Sequence, residues 1–401
     1  MTAKTTRHVP TPSAAPPFPD ADLLHLVERL PEDERERFIA IRSHLQDVVR
    51  PASIDYWNRE AFAAELLPAL AALGLGELRL GTASRLFTGL VHAEIARADV
   101  SLSALIGIHN ELIVGMIAEF GSPEQRERWL GPLRCFEALG AFALTEPEHG
   151  SDIAGGLATT ARRDGEEWVI TGEKRWIGSA TVADFGLIWA RDEADGEIKG
   201  FIVESDRPGY RTQKSHNKMG LRIMQNADIV LDGVRIPAAN ALPGATSFTR
   251  ANALLRDSRA WVGWQGVGLQ LATFDVARAY ALSRTQFGEP LAARQLIQAP
   301  LSEILGNACG SLALMVQIAE LQDRDQLEMT QAAMAKATIT RWARQSVAQG
   351  RAILGGNGIV SDYEMAKLFG DAEILYTYEG SYEINALLVG RGVTGLSAFV
   401  S

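Results

Sequence analysis

Gly140-Ala141-Phe142-Ala143-Leu144-Thr145-Glu146, followed by Trp168-Val169-Ile170-Thr171-Gly172-Glu173-Lys174-Arg175-Trp176-Ile177, marks where the chain changes its period. Upstream, residues 33–54 and 61–78 carry apolar residues at i, i+3 and i+4, the pattern of amphipathic helices. Pro51 is expected to close the first of these. Residues 90–121 are apolar almost all round and read as one helix buried on most sides. From Gly140 short alternating stretches take over, among them residues 183–191, 198–205 and 226–237, with turn signals at Asp164-Gly165 and Asp195-Gly196. Helical spacing returns at about Ser247, over residues 256–288, 296–324 and 329–356, with a final helix after Glu379. Short links between long helices predict an up-and-down bundle. The expected fold class is α+β: an N-terminal helical domain (21–139), a small central β-barrel (140–246) and a C-terminal four-helix bundle (247–401).

Composition narrows the function. The 401 residues are 47% hydrophobic and carry a formal net charge of −10. The first figure excludes a mainly disordered chain. The second disfavours a surface that grips nucleic acid or an anionic membrane. Cys135 and Cys309 are the two cysteines, too few for a disulfide framework or zinc ribbon, and the seven histidines form no HExxH or HxxxH pair, so no metal site is expected. No uninterrupted apolar run approaches the ~18 residues of a membrane span. Residues 1–20, rich in Pro, Thr and Ala, lack the apolar core of a signal peptide and read as a disordered tail on a cytoplasmic protein.

GxxxxGK[ST] and GxSxG are absent, and Gly74-Leu75-Gly76 lacks the third glycine of a dinucleotide fingerprint. Three glycine-bearing polar clusters remain. Residues 144–152 read either as a Pro/Gly turn or as backbone N–H groups open to an anion. Residues 284–288 read either as a helix end with a surface arginine or as a guanidinium fork beside a stacking ring. Residues 354–358, with 376–381 some twenty residues on, read either as a helix start or as a close-approach loop with a desolvated carboxylate, Glu379, suited to a general base.

In order these clusters spell LTEPEHGSD (144–152), KRWIG (174–178), RTQFGEPL (284–291), LGGNG (354–358) and YEGSYEIN (378–385). The series resembles the acyl-CoA dehydrogenase family from about residue 30 to the C-terminus. Within the family it is most similar to the glutaryl-CoA dehydrogenase branch and the plant short-chain acyl-CoA oxidase beside it. The resemblance implies bound FAD. It places Phe142, Leu144 and Thr145 along the flavin, Gly150 and Ser151 at the pyrophosphate and thioester end, and Trp176 and Gly178 at the ring edge. Arg284, Gln286, Phe287, Gln349, Gly350, Gly355 and Gly356 reach the FAD of a neighbouring subunit, which implies a homotetramer or dimer. Ser381 and Glu383 are further cofactor contacts that the resemblance implies. Substrate contacts fall to Ser103, Ser151, Arg256, Arg259, Tyr378 and Gly380. Glu379 matches the base that removes the α-proton of an acyl thioester while the β-hydride goes to the flavin. Electrons would pass to an electron-transfer flavoprotein; the alternatives are oxygen, as in an acyl-CoA oxidase, and a carrier-protein-bound substrate.

Departures from the family pattern bear on the substrate. Some relatives carry the base where Ser258 stands here, so Glu379 has no rival. The alignment through Arg97-Ala98-Asp99 puts Ser103 where the glutaryl branch has a carboxylate-binding arginine. A hydroxyl does not replace a bidentate guanidinium, so an unsubstituted short or medium acyl chain is expected. Gly178 replaces a threonine common among relatives, and residues 75–86 look short. Trp261 and Trp264 are read as core packing or as a plug in the acyl tunnel. Lys218, Arg222 and Arg256 are candidates for the CoA phosphates, or else solvated surface charge.

Overall fold

In the computed structural model, which describes residues 22–399, α1 (Glu32–His44) widens into a π-turn over Leu45–Val49 and continues as α2 (Arg50–Arg59). The tail expected over 1–20 lies outside the described residues. Pro51 does not close the helix. Its ring lacks an N–H and crowds the carbonyl four residues back, and the wide turn immediately before it relieves that conflict. Residues 90–121 are likewise not one helix. α3 (Arg85–Ala98) stops at Asp99, whose backbone is extended and whose carboxylate accepts from the Leu102 N–H at 2.7 Å to start α4 (Val100–Gly107). A side-chain cap satisfies an N–H that the new helix would otherwise leave unpaired. α5 (Pro123–Arg134) opens on a reciprocal Ser122–Gln125 capping box.

The central segment forms β1 (Gly140–Ala143), β2 (Thr160–Asp164), β3 (Glu167–Ile177), β4 (Phe185–Asp192), β5 (Ile198–Glu204), β6 (Tyr210–Lys214) and β7 (Ala227–Pro237). The sheet runs β1-β4-β2-β3-β7-β6, with β5 on the other edge of β4. β1 and β2 lie one after the other along β4, both parallel to it (Gly140 opposite Phe185, Thr160 opposite Arg191). The expected barrel is therefore a curled sheet whose end strands, β5 and β6, do not pair. β4 is buried on both faces: Phe185, Leu187 and Trp189 pack towards Leu112–Phe120 and α5, while Ile188 and Ala190 face Ile170 and Leu231 inside the curl. Burial on both sides explains its continuous apolar run. β3 and β7 lose register between Lys174 and Ile177, where Trp176 takes φ +64° and is 56% exposed. A bulge of this kind re-aims a side chain at a sheet end.

α6 (Phe248–Ser283) holds the molecule together. It packs on α7 (Gln295–Asp323), α8 (Met329–Leu354) and α9 (Met365–Thr377), and on α3 from the N-terminal segment. Its glycines permit this. A Cβ on Gly268 would sit 2.0 Å from the Ala93 carbonyl, on Gly266 2.7 Å from Ile339, and on Gly263 2.5 Å from Met315. The expected bundle, α6 to α8 with a final helix after Glu379, also takes in α9, which the sequence reading did not mark, and it shares one core with the N-terminal helices: Phe87, Leu90 and Ile95 lie in the same cluster as Val267, Ile339 and Met365. α10 (Tyr382–Thr394) closes the chain.

Val100–Phe120 and Gln295–Asp323 are long and apolar enough to cross a membrane by length and composition. The first is 94% buried inside the protein, which accounts for its apolar character. The second is α7, which packs on α6 and α8.

Candidate active site

Glu379 sits on the turn between α9 and α10, in the left-handed region at φ +53°, followed by Gly380 at φ +82°. A non-glycine residue in this region is uncommon and is held there by its surroundings. The turn ends where Ser381 caps α10, its hydroxyl accepting from the Ile384 N–H at 3.3 Å. The Glu379 carboxylate accepts from the Ser258 hydroxyl at 2.7 Å. Loss of hydration raises its pKa above the ordinary glutamate value; the Ser258 bond and the charges of Arg259 and Lys336 oppose that rise without cancelling it. Arg259 is fixed by Asn385 Oδ1 (3.0 Å) and the Leu255 carbonyl (2.6 Å), and its guanidinium lies 3.4 Å from the space a Cβ on Gly380 would take. No hydrogen bond from the Glu379 backbone N–H is found among the described residues.

A closed wall stands beside this carboxylate. The Tyr378 hydroxyl donates to Gln265 Oε1, and Gln265 Nε2 donates to Ser103 Oγ at 3.0 Å. Trp261, 3% exposed, meets the Tyr378 ring edge-on at 6.0 Å and fills the notch left by Gly107, where a Cβ would lie 1.8 Å from the indole. Trp264 fills the matching notch at Gly89. Both tryptophans belong to the core. Ser103 is fully buried behind Gln265 and offers no open face to a substrate.

The sheet contributes the second side. The Arg175 N–H donates to the Thr145 carbonyl at 2.8 Å, so the ends of β1 and β3 meet with Thr145 next to Trp176. The loop beyond is pinned by Glu146, which sequence reasoning passed over. Its carboxylate takes Lys174 Nζ at 2.7 Å and the N–H groups of Ala158 and Thr159 at 2.6 and 2.9 Å. Gly150 and Ser151 follow as exposed loop residues. Gly178 is tight against Met224 and Ile108, leaving no room for the threonine side chain of relatives without a shift. Leu254 of α6 packs in the cluster of Leu144 and Phe142, and one turn later Ser258 holds Glu379. One helix therefore sets the carboxylate against the strand end.

The remaining expected residues divide. Arg284, Gln286 and Phe287 lie on an exposed hairpin (Thr285–Gln286 with Glu289–Pro290), with Phe287 94% exposed. A Cβ on Gly355 or Gly356 would meet open space. Gln349 Oε1 is buried without a partner, an orphan acceptor that calls for a donor from outside the chain. An exposed indole, open glycine backbone and an unpaired amide fit the ring and ribityl–phosphate tail of FAD. Gly350 does not share that role: it is wedged between Thr273 and Met365 and serves helix packing. Glu383 lies in the first turn of α10, its pKa lowered chiefly by the backbone N–H there. Arg256 pairs with Asp257 at 3.1 Å in a cleft of about 230 Å³ with Arg79 and Arg85, apart from Glu379. Lys218 is turned inward onto the carbonyls of Leu221 and Met224 and onto Asn226, and Arg222 is held by Glu60 and the Trp57 carbonyl. Both cations serve the fold, because unpaired backbone carbonyls in a tight loop take the nearest donors. Among the described residues no cluster could hold a metal ion.

Residues 31–135, 141–234 and 248–394 match the N-terminal, middle and C-terminal domains of acyl-CoA dehydrogenase. The chain is 32% identical over 371 residues to the mitochondrial short-chain specific acyl-CoA dehydrogenase of Bos taurus, covering 90% of each. Glutaryl-CoA dehydrogenase from Mycobacterium smegmatis superposes with a TM-score of 0.90 at 33% identity, over 95% of this chain and 99% of that one. A structure described as a glutaryl-CoA dehydrogenase of the same organism, in complex with FADH2, gives 0.90 at 29% identity over 94% and 98%. Butyryl-CoA dehydrogenase from Megasphaera elsdenii gives 0.85 at 26% over 91% and 98%. The chain belongs to the acyl-CoA dehydrogenase family.

Proposed function

We propose that this protein dehydrogenates a short, unsubstituted acyl-CoA, with Glu379 removing the α-proton. FAD, held along Thr145 and Trp176 and, from a second copy, at Gln349, Gly355 and Gly356, supplies the acceptor for the β-hydride. The observation that carries the reading is the half-buried Glu379 carboxylate, held by a single hydroxyl partner and with its pKa raised by loss of hydration. A base that strips a weakly acidic carbon needs affinity for the proton, and desolvation provides it. The free Glu379 N–H beside it is a donor for the thioester carbonyl, whose oxygen gains charge as the α-proton leaves. Tyr378, Gln265 and Trp261 wall off one side of the carboxylate. That same wall limits the acyl chain, and the neutral, sealed Ser103 speaks against a second carboxylate on it. Exposed Phe287 and Leu296, at 94% and 89%, support self-association that completes the cofactor site. The electron acceptor in this reading is an electron-transfer flavoprotein.

The test is an anaerobic titration of the purified yellow protein with butyryl-, octanoyl- and glutaryl-CoA, followed by air. Bleaching by butyryl-CoA and slow reoxidation are expected. Rapid reoxidation with peroxide would replace the flavoprotein acceptor by oxygen. Bleaching by none of the three would refute CoA esters as substrates and direct the search to carrier-bound thioesters.

A further inference from the structure

Lys336 is fully buried on α8. Its ammonium donates to two carbonyls, those of Tyr376 at 2.9 Å and Gly380 at 2.7 Å, which flank Glu379 in the chain. No carboxylate of the described residues forms an ion pair with it. A buried charge without a counter-charge is costly, so its place under this turn calls for a reason.

Two physical effects supply one. The turn contains two successive left-handed residues, Glu379 and Gly380, and a donor bound to a carbonyl on each side holds both ends of that arrangement. Lys336 is also a cation acting on the Glu379 carboxylate. The charged and polar groups facing the pair are Arg259 and Ser258 from α6, Lys336 from α8, Tyr378 from the turn and Glu383 from α10. Arg259 is already committed to Asn385 and the Leu255 carbonyl.

We propose that Lys336 is the positioning residue of Glu379: it clamps the turn that aims the carboxylate, and its charge favours the ionised form of that carboxylate. The proposal rests on Glu379 being the base. Burial pulls the lysine's own pKa down to about 7, so its charge acts on Glu379 below that value and fades above it.

The experiment compares Lys336→Met, Lys336→Gln and Lys336→Arg holoproteins with wild type, following anaerobic flavin reduction by butyryl-CoA from pH 5.5 to 9.5. The Glu379 titration is read without turnover from the ¹³C shift of labelled glutamate carboxyls, assigned with Glu379→Gln. In Lys336→Met and Lys336→Gln, loss of the nearby cation should move the Glu379 titration and the acid limb of the rate upward by about one unit or more. Reduction at pH 6 should then fall about tenfold further than at pH 9. Lys336→Arg should restore part of the shift. A lower rate with an unmoved titration overturns the proposal. So does failure of both neutral variants to fold with FAD while Lys336→Arg folds, since Lys336 would then be purely structural. Wild-type reduction rates in Glu379→Gln would instead remove the base assignment itself, so the two failures are distinguishable.

Discussion

Two lysines are buried in this protein beside a glutamate, one in the sheet and one in the helices, and the two sites behave oppositely. At the sheet end Lys174 meets Glu146 at 2.7 Å, and the carboxylate also takes two backbone N–H groups. Its pKa is lowered: burial pushes it up, but the Lys174 charge and these hydrogen bonds outweigh that. Under the helical turn Lys336 takes carbonyls instead, Glu379 is left with one hydroxyl, and its pKa is raised. Both lysines are pulled down by burial, to about 8 and about 7. A carboxylate fully occupied by partners is a structural staple. One near a cation but not bonded to it keeps affinity for a proton and the freedom to exchange it.

The largest test of this contrast is Glu379→Gln. It should keep FAD and bind acyl-CoA but lose flavin reduction by about 10³-fold or more, measured by anaerobic stopped-flow absorbance. Glu146→Ala should act on the other quantity. Breaking a buried pair costs about 3 kcal/mol of stability or more, read by urea denaturation, while reduction per folded holoenzyme keeps its pH profile. If Glu146→Ala moved that profile as much as the Lys336 substitutions do, the distinction between staple and base would collapse. Trp261→Ala, which opens the wall beside Glu379, should raise activity on octanoyl-CoA relative to butyryl-CoA by about tenfold. An unaltered chain-length profile would show that the wall does not set chain length.

The smallest effect concerns stability against pH, and the two glutamates have opposite signs. Native Glu379 holds its proton to higher pH than the unfolded chain, whose glutamates titrate near 4.5. Its stabilising contribution is therefore present below that value and is lost as pH rises through the native pKa. Native Glu146 gives up its proton more readily, so its contribution is present above 4.5 and is lost as pH falls through its lowered pKa. Denaturation of Glu379→Gln and Glu146→Gln across pH 3–9 should show the first variant gaining on wild type at alkaline pH, and the second losing ground at neutral pH and recovering relative to wild type in acid.

The order of elements and the place of Glu379 were legible because both are local. Periodicity shifts at Gly140 and Ser247, and the YEGSYEIN run names the turn. Breaks set by three-dimensional context were not legible. Pro51 reads as a stop, yet a wider turn accommodates it, and Asp99 reads as one polar residue in an apolar helix, yet it caps the next one. The support of Glu379 is hidden for the same reason. Ser258 reads as an inert replacement for a base, although its hydroxyl donates to the Glu379 carboxylate. Lys336, in Ala335-Lys336-Ala337, draws no notice in the sequence because its acceptors are backbone carbonyls about forty residues downstream, which leave no mark on composition or spacing. Lys218 and Arg222, offered as candidates for CoA or else as solvated charge, are instead taken up by the loops around them.

The placement of α6 has a consequence for biosynthesis. α3 finishes its core against a helix that leaves the ribosome more than 150 residues later, after the whole sheet. Until then Phe87, Leu90 and Ile95 face water or a chaperone, while the sheet strands already have their hydrogen-bonding partners. A nascent chain stalled at Thr246 should therefore bind an apolar dye through its N-terminal helices, and release of the last third should quench that signal in one step.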